Sequence, residues 1–178
     1  MNVWIALLRG VNVGGHNKLP MAEFRAVLSS LGLQEVATYI QSGNAVFRSP
    51  ETGLDIAEMI SRAVSDGFGF APDVFVLSRE DLRAAISQNP YPQASSDPKT
   101  LHLFFVPDDH TPINQAELQV HATKGEAFEK IGHVFYLHTP NGFGRSDLAA
   151  KLPRLVKTTM TGRNLRSCQK IAELADAI

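Results

Sequence analysis

With 178 residues, 44% of them apolar and 20% charged, the chain has globular composition and is neither disordered nor fibrous. Its formal charge of −1 argues mildly against a general nucleic-acid binder, and its one cysteine, Cys168, excludes an intramolecular disulfide and a thiolate metal cluster. No basic leader with a cleavage site opens the chain, and no stretch nears the roughly 20 apolar residues that span a bilayer. A cytoplasmic location without a membrane partner is therefore expected.

In chain order, residues 2–8 are apolar without helical periodicity and predict a buried strand. Met21, Phe24, Val27, Leu28 and Leu31 recur at helical spacing, with Pro20 suited to the first turn and Gly32 to the C′ position. Val36–Gln41 and Ala45–Arg48 predict a hairpin turning at Ser42-Gly43-Asn44. Ile56, Ala57, Ile60, Ala63 and Val64 predict a helix ending near Gly67, followed by a strand over Asp73–Leu77. The first half thus runs β-α-β-β-α-β.

A short helix over Glu80–Ser87 leads into residues 89–99, where three prolines mark a linker or long loop. Beyond it, Leu101–Val106 predicts a strand and Ile113–Val120 a short helix that Asp108-Asp109 introduces. Glu126–Ile131 and Val134–His138 predict a hairpin turning at Gly132-His133. Leu148, Leu152, Leu155 and Val156 mark a helix in which Pro153 must occupy the first turn or make a kink. Leu165, Cys168, Ile171, Ala172 and Ala175 mark the last helix. One plan is thus written almost twice, and it predicts an α+β protein of two ferredoxin-like subdomains in tandem. The expected boundaries are 1–88 (βαββαβ), 89–99 (linker) and 100–178 (βαββα plus a terminal helix).

Three polar patches stand out against this framework. Arg9-Gly10-Val11-Asn12-Val13-Gly14-Gly15-His16-Asn17-Lys18 has three glycines within six residues, freeing the backbone for positive φ among several donors. Its first and sixth glycines fit a phosphate-cradling G-x-x-x-x-G-K-[ST] loop, but His16-Asn17 replaces the required Lys and hydroxyl. A nucleoside triphosphatase motif is excluded. A glycine-rich turn that offers N–H groups to an anion is not. Gln41-Ser42-Gly43-Asn44 reads first as a turn. Ser42 lacks the companions of a nucleophile.

Thr161-Gly162-Arg163-Asn164 lies in a basic section between Arg145 and Lys170. It either caps the last helix or aims Arg163 at a carboxylate or phosphate. The six histidines show no metal-ligand spacing, so neither metal nor cofactor is expected. Trp4 and Phe104-Phe105 read as core, and Cys168 as buried packing.

These blocks resemble a known family. Leu7–Gly15, Thr38–Phe47 and Arg163-Asn164 are similar to the bacterial family called domain of unknown function 1697, in order over nearly the whole chain. Leu165 stands where that family commonly has tryptophan, and Ser167 where it has threonine. The resemblance implies two α+β subdomains of ferredoxin-like character and carries over no activity.

From the residues themselves, the expected function is binding of a phosphate-bearing small molecule or single-stranded nucleic acid. Arg9, Asn12, Gly14, Gly15, Lys18, Ser42, Asn44, Arg163 and Asn164 are the candidate ligand contacts. The alternatives are a metal-independent enzyme for an anionic substrate, with His16 as acid or base, and motifs that only secure the subdomain interface.

Overall fold

The computed structural model describes all 178 residues. Its contacts divide the chain into two compact units, Met1–Ala84 with Gln169–Ile178, and Ala85–Cys168.

Unit 1 is built from β1 (Asn2–Leu8), α1 (Met21–Ser30), β2 (Gln34–Tyr39), β3 (Asn44–Ser49), α2 (Gly53–Phe68) and β4 (Val74–Ser78). α3 (Arg79–Ser87) follows directly. The sheet order is β2-β3-β1-β4, antiparallel throughout. Side chains alternate across a strand, so Ala6 and Leu8 share a face with Ala45 and Phe47. On that face they pack with Phe24 and Leu28 of α1 and with Ile56, Ile60 and Val64 of α2. Each large side chain so enclosed contributes on the order of 1.5–3 kcal/mol. Val3, Ile5, Leu7 and Val46 on the other face are buried too, which is why β1 is apolar at every position from Val3 to Leu8 rather than at alternate ones.

The helix ends obey local chemistry. Pro20 precedes α1, and Gly32 leaves it with φ 84°. Thr52 caps α2, its Oγ1 accepting the Asp55 N–H at 3.3 Å. α2 runs one residue past Gly67, to Phe68, because Gly69 takes the left-handed conformation instead.

Unit 2 repeats the plan with β5 (Leu101–Phe105), α4 (Gln115–His121), β6 (Ala127–Ile131), β7 (Val134–His138), α5 (Asp147–Leu155) and β8 (Thr161–Asn164). α6 (Leu165–Asp176) begins where β8 stops. The order β6-β7-β5-β8 matches that of unit 1 position for position. Phe135, Leu137, Leu148, Leu152, Val156 and Leu118 form its core. The Tyr136 hydroxyl, fully buried, donates to the Ala85 carbonyl at 2.6 Å.

Two expectations need correction. Thr161–Asn164 is a strand rather than a loop before the last helix, pairing Leu103 with Arg163 and Phe105 with Thr161. The C-terminal half is therefore βαββαβ plus a helix. Asn114, not Asp108-Asp109, opens α4, its Oδ1 accepting the Glu117 N–H at 3.2 Å. Of the two alternatives for Pro153, the first turn is excluded, since it lies near the end of α5. There its missing N–H forfeits a single bond, and the helix stops two residues on.

Candidate functional site

The first two polar patches form one constellation at the end of β1. Leu8 N–H donates to the Gly43 carbonyl at 2.8 Å, and Arg9 N–H donates to the Asp73 carbonyl at 2.9 Å. The chain then reverses at Gly10, with φ 71°. Asn12, itself at φ 54°, clamps the loop. Its Oδ1 accepts the Leu19 N–H at 2.8 Å. Its Nδ2 donates to the carbonyls of Leu19 at 2.9 Å and Gln41 at 2.7 Å.

Asn17 closes the loop from the other side, Nδ2 donating to the Gly10 carbonyl at 3.0 Å. At the tip, His16 N–H donates to the Val13 carbonyl across Gly14 and Gly15, with φ 58° and 77°. Two consecutive positive φ values make this a miniature type I′ hairpin, a geometry for which glycine is the natural residue.

The facing turn is fixed as firmly. Asn44 is fully buried, and its Nδ2 donates to the Tyr39 carbonyl at 3.0 Å and to Ser42 Oγ at 2.9 Å. Gly43 lies against the first loop so closely that a Cβ there would stand 2.6 Å from Val11 Cγ2 and 2.8 Å from Leu8 Cβ. Ile40 adopts φ 48° with half its surface exposed, and a β-branched residue rarely takes that conformation.

The expected contacts therefore divide into frame and surface. Asn12, Ser42 and Asn44 bond inward and set the shape of the site. Gly14, Gly15, His16 and Lys18 are exposed, and the N–H groups of Gly14 and Gly15 make no hydrogen bond inside the protein. Arg9 is half exposed and pairs with Asp73 at 3.3 Å. Such a surface pair holds the side chain by under about 1 kcal/mol and leaves it free to change partner. Sequence reasoning missed Asp73, Ile40 and the Gln41 carbonyl. Only Asp73 carried a signal, since it opens the strand that pairs with the end of β1.

Arg163 and Asn164 lie in unit 2. Arg163 is turned into the protein, its Nη1 donating to Thr161 Oγ1 and to the Gly162 carbonyl, both at 2.8 Å. Burial depresses its pKa to about 10. Asn164 caps α6, Oδ1 accepting the Ser167 N–H at 2.8 Å. Of the two readings of this patch, the cap is the one the hydrogen bonds satisfy. Asp108, Asp109 and His110 cluster on an exposed turn, where Asp108 Oδ1 accepts the His110 N–H at 2.7 Å, so the turn alone accounts for their proximity.

The Asn12 clamp makes a direct prediction. Asn12→Ala removes three hydrogen bonds and puts alanine at positive φ, which should cost about 2–4 kcal/mol in urea unfolding. Asn17→Ala removes one exposed bond and also puts alanine at positive φ (51°), and should cost about 1–3 kcal/mol.

These features define an α+β protein of two four-stranded antiparallel sheets with helices, carrying one glycine-rich, asparagine-clamped loop. The chain belongs to the family described as protein of unknown function DUF1697, whose model matches residues 1–136. It is similar over 98% of its length to the conserved bacterial protein SP0830 from Streptococcus pneumoniae. The two are 28% identical with a TM-score of 0.72, and the match covers 98% of that chain as well. No curated protein matches the chain. No helix is long and apolar enough to cross a membrane.

Proposed function

We propose that the chain is a tandem of ferredoxin-like units whose first unit binds a phosphate-bearing anion at the loop Arg9–Lys18. The strand orders β2-β3-β1-β4 and β6-β7-β5-β8, antiparallel at every junction, support the ferredoxin-like reading.

One observation carries the binding reading. Gly14 and Gly15 present two adjacent, exposed, unbonded N–H groups on a loop fixed from behind, and Arg9, His16 and Lys18 are exposed in the same loop. Backbone donors held in place before binding lose little entropy when an anion arrives. Cationic side chains beside them add charge-assisted hydrogen bonds. Asn12, Ser42 and Asn44 hold the loop rather than touch the ligand, and the buried Arg163 takes no part.

The test is a thermal-shift panel of inorganic phosphate, nucleoside monophosphates, sugar phosphates and short single-stranded oligonucleotides. A ligand at 100 times its Kd adds about 2.7 kcal/mol of stability. The combined Arg9→Ala and Lys18→Ala protein should keep its own melting temperature and lose that gain. If oligonucleotides bind, affinity should fall steeply with salt as counterions are released.

A second reading, that these motifs only brace the fold, is favoured by the inward bonding of Asn12, Asn44 and Arg163. A flat panel, with Asn12→Ala melting early, would establish it over binding.

A further inference from the structure

The opposite end of the unit 1 sheet, where β1 begins and β3 and β4 end, lies away from the glycine loop. A cavity of about 390 Å³ there is lined by Val3, Trp4, Arg48, Ser78, Arg79 and Glu80 among others. That volume lies within the range of small-molecule sites, about 300–1,000 Å³. The register sets Arg48 directly opposite Val3 on one side. It sets Ser78 opposite Trp4 on the other, so that Arg79 comes next along the chain beside Val3. Strands lie about 4.8 Å apart, which places two arginine backbones on the order of 10 Å from each other with an apolar floor between them.

The Arg48 guanidinium is held by one ion pair and by no hydrogen bond. It makes no hydrogen bond within the protein, although its Nε is buried, and its one partner is an ion pair to Glu35 at 3.2 Å without hydrogen-bond geometry. A buried donor of this kind costs about 1–3 kcal/mol unless an acceptor reaches it. Arg79 has only its exposed neighbour Glu80, Nε to Oε1 at 3.3 Å. Both side chains are about a third exposed, 34% each, so either can move to meet a ligand.

We propose that this cavity binds a small monocarboxylate through Arg48, with Arg79 as the second cation. A planar carboxylate matches the guanidinium fork with two parallel hydrogen bonds. Glu35 and Glu80 offset the two positive charges, so a dianion meets more repulsion here than a monoanion does. This disfavours phosphate here, in contrast to the glycine loop. The body of the ligand lies against Val3, which shares its face with both arginines, and Trp4 lines the cavity from the opposite face of β1, so an apolar or flat carboxylate fits the lining better than a sugar acid.

Trp4 is the only tryptophan of the chain and lines the cavity, so its fluorescence and indole N–H resonance report on it. Benzoate titrated into the whole protein should shift both signals saturably, and benzamide, its uncharged counterpart, should not. Arg48→Gln should weaken benzoate by about tenfold or more. Should that variant fail to fold, Arg79→Gln provides the same comparison with a smaller loss. The Arg9→Ala, Lys18→Ala protein should bind benzoate normally, which keeps this site's outcome separate from that of the loop. No saturable change with benzoate, equal binding of benzamide, phosphate binding as tightly as benzoate, or unchanged affinity in the arginine variants would each overturn the assignment.

Discussion

Gly43→Ala should destabilise the protein by about 2–5 kcal/mol, more than any other single-methyl addition to these loops. Two costs combine at this position. Its φ of 75° is left-handed, where an L side chain is strained by about 1–2 kcal/mol. The new methyl would also stand 2.6 Å from Val11 Cγ2 and 2.8 Å from Leu8 Cβ. Neither neighbour is the far end of a flexible chain. Leu8 Cβ is fixed to the backbone of β1, and Val11 is buried and stiff at χ1. Relief requires the turn and the glycine loop to separate, which would also stretch the bond from Asn12 Nδ2 to the Gln41 carbonyl.

Gly15→Ala is the control. Its φ is 77°, yet a Cβ there meets nothing within 4 Å, so it should show the conformational cost alone, about 1–2 kcal/mol. Urea unfolding of both variants separates strain from overlap. Equal losses would mean that the two loops are not locked together.

Gly43 also shows which parts of this protein could be read from its sequence. That a glycine stands in a hairpin turn is local chemistry, and the turn was legible. That the same glycine admits Val11 from a loop more than 30 residues away depends on tertiary register, which no local pattern carries. The long elements were legible for the same reason as the turn. Continuous apolar runs such as Val3–Leu8, and helical spacing such as Ile56, Ile60 and Val64, encode burial directly.

β8 was not legible, because its four residues Thr-Gly-Arg-Asn have no apolar side chain and become a strand only by pairing with β5. Once it is a strand, alternation explains Arg163 as well. Thr161 and Arg163 share the inward face, and Gly162 leaves room for the Phe104 ring, which a Cβ would meet at 2.5 Å. At the candidate site, the donors were all visible in the sequence but their use was not. Asparagine amides serve a ligand and a distant carbonyl equally well, and only the fold reveals that Asn12 and Asn44 are taken.

The second large effect is acid sensitivity centred on His102. Its ring stacks on Phe143 with centroids 4.0 Å apart and lies 6.2 Å from Phe104, and its buried Nδ1 has no hydrogen-bond partner. A charged imidazolium is poorly solvated there, so burial pushes the pKa from 6.5 down to about 4. In the unfolded chain His102 takes a proton near pH 6.5, whereas in the folded protein it resists until about pH 4. Between these values the unfolded state holds more protons, and stability falls as pH falls. The contribution is fully present above pH 6.5 and is lost progressively down to about pH 4, at up to about 1.4 kcal/mol per pH unit. His138, stacked on Tyr91, is lowered by burial too and adds a loss of the same sign. His102→Phe keeps an aromatic ring beside Phe143 and removes the titration together with the orphaned nitrogen. Its stability should equal or exceed wild type at pH 7 and fall less steeply below pH 6.5. The residual slope then belongs to His138 and the carboxylates. Parallel stability curves for the two proteins, or a His102 ring proton titrating near pH 6.5 by NMR, would mean that water reaches the ring and that its burial does not set the acid limb.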